Sequence, residues 1–212
     1  MNKPSHSSSD FRMSNFAGPL LWLVLALPPL RMAMENVMVW HMGVQIPALV
    51  VAGTLSGPLI VPLYQRYLAP WNGYGVAGIV LTIMTLLFWM LPRSLDATLD
   101  DGAMELAKFI TLPLLAGLPL AHSWPRLSLI GRGIVWSNLV AMLFVLAWLY
   151  LAAPLRVCNN YLVNDQELLG WYLFSAGIAA VLYVGWRALF GGNICVVDEP
   201  RRNSLPVHPQ CK

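Results

Sequence analysis

The chain has 212 residues, of which 58% are hydrophobic and only 11% charged, whereas soluble domains carry roughly a quarter charged residues. This composition excludes an ordinary soluble enzyme or binding module and predicts an all-α integral membrane protein. A net charge of +3 is too small to argue for a nucleic-acid partner. The three cysteines, Cys158, Cys195 and Cys211, have no CxxC spacing, which excludes a thioredoxin-like motif, a zinc module and a disulfide framework.

Residues 1–15, polar and serine-rich, predict a flexible cytoplasmic tail. Pro28, Pro29 and Arg31 follow the first apolar stretch without a convincing A-x-A site, so that stretch reads as a span and not as a cleaved signal. A span needs about 20 apolar residues. Six segments qualify, at about 16–33, 37–56, 73–92, 103–123, 131–154 and 168–190. Together they predict a six-helix transmembrane domain over 16–192, followed by a cytoplasmic tail over 193–212. Pro47, Pro113 and Pro119 fall inside spans, where neighbouring helices can satisfy the carbonyls that proline leaves free. Nine tryptophans and seven tyrosines suit two membrane interfaces.

Placing both termini in the cytoplasm puts Lys3, Arg12, Arg66, Arg126, Arg132, Arg187, Arg201, Arg202 and Lys212 on the inner side. Arg31, Arg93 and Arg156 fall on the outer side. This is a positive-inside distribution, and Glu35, Asp96, Asp100, Asp101, Asp165 and Glu167 sort to the outer side. The expected location is a bacterial inner membrane, crossed several times.

With that topology the second, fourth and sixth spans begin at the outer surface. Their first turns bring Met34, Met38, His41 and Met42 toward Met104, Glu105 and Lys108, and toward Asp165, Gln166 and Glu167. On a helix, positions 34, 38, 41, 42 and 45 share one face, so three thioethers, an imidazole and the Gln45 amide point the same way. Soft thioether donors with an imidazole suit Cu(I). The same stripe is also what an ordinary packed face rich in methionine looks like. A histidine within a span is costly and commonly functional, and a hydrogen bond from His41 to Glu105 or Asp165 is the alternative to ligation. A bis-histidine haem is excluded because His41 and His122 fall near opposite faces. Glu105 and Lys108, three residues apart, are placed to neutralise each other. No phosphate loop, nucleophile elbow or HExxH is present, and His208 with Cys211 makes no ligand pair.

Two stretches resemble the CtaG family of multi-spanning cytochrome c oxidase assembly factors. "LALPPLRMAMENVMVWHMGVQIPALVVAG" is similar to that family's helix end, short outer loop and His-Met-x-x-His-Met motif. Val37 stands in place of the first histidine, and Met38, His41 and Met42 match the rest. "NDQELLGWYLFSAGIAAVLY" resembles the family's late motif, through Asp165, Gln166, Gly170 and Trp171. The resemblance implies a non-enzymatic protein that assists copper delivery to, or assembly of, a respiratory haem-copper oxidase. Its partners would be membrane lipid and oxidase subunits. Cu(I) would rest on Met38, His41 and Met42 with Met34 as an auxiliary ligand, and Glu105, Asp165 and Gln166 would support the site. The alternatives are a non-catalytic subunit of a respiratory membrane complex and a small transporter using Glu105 and Lys108.

Overall fold

A computed structural model describes residues 8–67, 70–153 and 161–190. Among these residues the chain is helical throughout, with no strand. The helices are α1 (Ser8–Ala26), α2 (Pro28–Glu35), α3 (Ile46–Tyr67), α4 (Val76–Met90), α5 (Pro92–Asp100), α6 (Gly102–Thr111), α7 (Leu118–Ser123), α8 (Leu129–Ala152) and α9 (Val163–Phe190). Four continuous helices, Val39–Ile60, Gly102–Arg126, Leu129–Ala152 and Val163–Phe190, are long and apolar enough to cross a membrane. The number rises to six if each of two bent pairs counts as one span.

Both bends arise at a Leu-Pro step. The steric clash of a proline ring with the preceding residue drives that residue out of the helical region. Leu27 (φ −62°, ψ 128°) and Leu91 (φ −69°, ψ 131°) accordingly adopt extended backbone. α1 therefore turns by 69° into α2, and α4 by 67° into α5. The sequence predicted spans over 16–33 and 73–92; the first is broken at Leu27-Pro28, where α2 folds away, whereas α4 stops at the Leu91-Pro92 step, close to the expected end of its span, and α5 folds away beyond it. The last span also starts earlier than residue 168, because α9 begins at Val163.

Prolines inside spans produce a second effect. Val39–Gln45 is a π-helical turn leading into α3, and Leu112–Gly117 is another between α6 and α7. Each closes with the residue before a proline donating its N–H five residues back, Ile46 to His41 O and Leu118 to Pro113 O. Pro47 and Pro119, next in line, have no N–H to offer to the carbonyls four residues earlier. The Tyr172 hydroxyl of α9 lies 3.4 Å from one of those carbonyls, Gly43 O, a partner from a neighbouring helix.

α3 lies at the centre, with α1 on one side and the Leu112–Gly117 turn and α7 on another; α4 packs beyond α7, and α8 pairs with α9. α3 crosses the Leu112–Gly117 turn backbone to backbone. A Cβ added at Gly53 would stand 2.7 Å from Pro113 Cα, and one at Gly117 2.6 Å from Gly53 Cα. Small residues let helices approach this closely in a membrane, where no hydrophobic force draws them together. The remaining apolar surface, including Leu23, Met84, Phe88, Trp148 and Leu182, is exposed, as suits lipid contact. The core gathers at the end of the bundle that carries α2 and α5, around Leu25, Met38, Met42, Trp89, Phe109 and Tyr161.

Candidate functional site

At that end the bend after α1 brings side chains of α2 to the first turns of α6, and the π turn reaches the same lysine of α6. Lys108 on α6 is fully buried, and its ammonium nitrogen has three neighbours. They are Glu35 Oε1 of α2 at 2.7 Å, His41 Nε2 of the π turn at 3.0 Å and Gln45 Oε1 of the same turn at 3.1 Å. An ammonium has three protons, so each neighbour accepts one. The Tyr161 hydroxyl, just before α9, donates to the backbone carbonyl of Glu35 at 2.8 Å. That proton being used, the Tyr161 oxygen accepts from His41 Nδ1–H at 2.7 Å. The imidazole is therefore neutral, protonated on Nδ1, with its Nε2 lone pair on Lys108.

A buried ammonium is tolerable only when it is paired and its protons are satisfied. Glu35 supplies the charge, at 11% side-chain exposure, and His41 and Gln45 supply the remaining acceptors. A second ion pair, Arg31–Glu105 at 2.6 Å, lies nearer the surface. The two pairs join α2 to α6 as two rungs of opposite polarity, and their four charges sum to zero. This corrects the expectation that Glu105 and Lys108 neutralise each other along α6. The 69° bend brings Arg31 and Glu35, four residues apart on α2, opposite Glu105 and Lys108, three apart on α6, and each charge then finds an opposite one across the interface. A cleft of about 320 Å³ opens beside the outer rung, lined by Ala26, Arg31, Gly102, Glu105, Leu106 and Phe109.

His41 does not bond to Glu105 or Asp165; its partners are Tyr161 and Lys108. Met34, Met38, His41, Met42 and Gln45, predicted to share a face, are 8%, 0%, 0%, 3% and 0% exposed. The methionines pack in the apolar core, and the Tyr150 hydroxyl of α8 donates to Met42 Sδ at 3.6 Å. The Gln45 Nε2 group is buried without a hydrogen-bond partner. Gln166 of α9 donates to the Tyr150 carbonyl at 3.2 Å, satisfying an orphan acceptor in the last turn of α8. Asp165 stands in the first turn of α9, outside the Lys108 cluster, with its N–H on Leu162 O. Cys158, Cys195, Cys211 and His208 lie outside the described residues.

The donor set on the π turn is chemically suited to a soft cation. Among the described residues no three His, Cys, Asp or Glu side chains gather as a metal group, so an ion held here would depend on the thioethers. Both ring nitrogens of His41 and the sulfur of Met42 already have partners inside the protein. His122 is on α7, at the other end of the bundle, with Nδ1–H on Leu118 O at 3.1 Å.

Glu35 and Tyr161 belong to the cluster although the sequence did not single them out as site residues. Glu35 could have been found by noticing that the pair 31/35 carries charges complementary to 105/108. Tyr161 has no local signal, since it meets His41 across 120 residues of chain. Compared with known protein families, with curated proteins and with solved structures, the chain shows no match.

Proposed function

We propose that this protein assists copper delivery to, or assembly of, a respiratory haem-copper oxidase, holding Cu(I) as cargo and performing no catalysis of its own. The observation that supports the reading is the burial, on one stretch running from the last turn of α2 through the π turn, of Met34, Met38, His41 and Met42 beside the charged cluster. The likeness of that stretch to the CtaG family motif supports it as well. Thioethers carry no charge, so they can hold a soft cation at the edge of a membrane without the cost of burying extra carboxylates. Met38, His41 and Met42 would ligate, with Met34 beside them, at what the charge distribution makes the outer face. To do so His41 Nε2 must leave Lys108 and Met42 Sδ must leave Tyr150. Donors that have internal partners to return to bind weakly, and weak binding suits a carrier that must release its ion.

Replacing both Met38 and Met42 by leucine tests this, because volume-conserving changes of this kind usually cost under about 1.5 kcal/mol. The parent, purified under reducing conditions with Cu(I), is expected to retain copper, and the double variant to retain at least about tenfold less at unchanged helix content. A strain lacking the protein is expected to lose oxidase activity under copper limitation and to regain part of it when copper is added. A double variant that retains copper and supports oxidase like the parent makes the methionines core. Co-purification with a respiratory complex at fixed stoichiometry favours the subunit reading.

A further inference from the structure

Of the four continuous helices long enough to cross a membrane, α8 is the most apolar and the least covered: 11% of its most apolar stretch is buried, against 44% for Val39–Ile60. α8 packs on α9, where Trp136 meets Tyr183 at 5.7 Å between ring centroids and Phe144 meets Phe174 at 5.6 Å. A different side of the helix is bare. Ile134, Asn138, Ala141, Val145, Trp148 and Ala152 are all exposed, Ile134, Val145 and Trp148 by 65%, 62% and 70%. Their spacing alternates four and three residues, which is the a/d seam along which two helices supercoil. The seam continues to the last residue of α8, and one of its members is polar. Asn138 lies roughly 4 Å from the midpoint of the helix at 1.5 Å per residue, inside a hydrocarbon layer about 30 Å thick. Its amide has no hydrogen-bond partner among the described residues. Lipid chains can cover the apolar members of the seam, but they can neither donate to an amide nor accept from one, and a polar group left so in hydrocarbon is costly.

We propose that this side of α8 is the contact surface for a second copy of the chain, two α8 helices lying parallel about a twofold axis with their Asn138 amides hydrogen-bonded to each other. Chemistry selects this occupant. An amide carries both donors and acceptors, so an identical amide is its complement. Copies inserted in the same direction hold residue 138 at the same depth, and a twofold axis along the membrane normal then sets each Asn138 opposite the other. A different protein would need a polar side chain at that depth on a seam of matching period. Ala141, one turn on, is small enough to let the two backbones come within reach of so short a side chain. One polar residue at an a position also fixes register, since any slip would set the amide against an apolar side chain. The inference is independent of any role in copper handling.

The full chain, carrying one fluorophore, is reconstituted in phosphatidylcholine bilayers over a dilution series, and the dimer fraction is counted by single-molecule photobleaching. A monomer–dimer equilibrium is expected. Asn138→Leu is expected to weaken it about tenfold, the worth of one interhelical amide pair in lipid, and Asn138→Gln, which keeps the amide, to restore most of the loss. Moving the amide off the seam, with Asn138→Leu and Leu139→Asn together, is expected to restore none. Ala141→Phe, which holds the backbones apart, is expected to weaken association as well. An unaltered chain that stays monomeric at the highest density, or an Asn138→Leu dimer as strong as the parent, overturns the proposal. Because a variant can lose association by failing to fold, the contact is also mapped by disulfide formation under iodine in native membranes, in a chain whose three cysteines are replaced by serine. Ile134→Cys, Ala141→Cys and Val145→Cys are expected to bond copy to copy, and Leu139→Cys and Leu143→Cys, off the seam, are not. Equal bonding at both sets, or bonding of the seam positions to a different protein in place of a second copy, overturns it.

Discussion

Val39–Gln45 and Leu112–Gly117 are wide turns of the same build. In each the residue before a proline donates five residues back, and the proline that follows cannot donate at all. Their uses differ. The first turn carries His41 and Gln45, four residues apart, and directs both at Lys108. The second carries proline, leucine, alanine and glycine, and presents bare backbone to Gly53 of α3. Proline spacing decides where a membrane helix widens, and the side chains on the widened turn decide whether it becomes a polar site or a close crossing. π turns are frequently found at functional sites; here that association holds for the turn that carries side chains able to hydrogen-bond.

The largest test of the comparison breaks the close crossing. Gly53→Val puts a branched side chain where even a single Cβ would stand within 3 Å of the Pro113 backbone, and no flexible side chain is there to yield. Overpacking costs about 1–3 kcal/mol where a core can adjust; against backbone the loss is expected to exceed about 3 kcal/mol. It would be measured as a fall in monodisperse yield and in unfolding free energy in detergent. Gly133→Ala, at a helix position with open space around it, is the control and is expected to leave both unchanged. A stable Gly53→Val protein would show that the crossing is loose.

The next test breaks the polar turn. Lys108→Met removes the ammonium and leaves Glu35, His41 and Gln45 without it; losing one member of a buried pair costs about 3–5 kcal/mol. Adding Glu35→Gln removes the stranded charge, so the double variant is expected to recover at least half of the loss. A double-mutant cycle reads the coupling directly. Strict additivity of the two changes would mean that the pair does not act as a unit.

The smallest effect sharpens the comparison. Tyr172→Phe deletes the hydroxyl 3.4 Å from Gly43 O, at a half-exposed position and a long distance, so the expected cost stays below about 1 kcal/mol. A larger loss would show that the carbonyl released by Pro47 depends on this one donor.

Some of this organisation was legible in the sequence. Helical class follows from composition, and the burial of Met34, Met38, His41, Met42 and Gln45 follows from their spacing. That spacing was drawn on a regular 3.6-residue wheel, whereas the chain breaks after Glu35 and widens from Val39 to Gln45. The five positions are still buried: the break falls between Met34 and Met38, and His41, Met42 and Gln45 lie on the inward side of the widened turn itself. The complementary signs of 31/35 and 105/108 were visible, but not that they meet, because the i, i+3 rule considers one helix at a time and it is the bend at Leu27 that brings the second helix into reach. The Leu-Pro steps behind both bends were visible, but hydropathy counts apolar length and is insensitive to direction. The contact of Tyr161 with His41 depends on where α9 docks against the first π turn, which no local pattern encodes.

α2 is joined to α1 through one extended residue, Leu27, and so stiff a short rod on so slender a joint takes its position from what it grips at the other end. What it grips is a pattern of signs: Arg31 then Glu35 on α2, Glu105 then Lys108 on α6. Slipped by one helical turn, α2 would set Glu35 against Glu105, or Arg31 against Lys108, and leave the remaining charges without partners. The two rungs therefore behave as a parity check on the placement of the segment, rejecting the neighbouring registers by repulsion while the correct one is held by attraction.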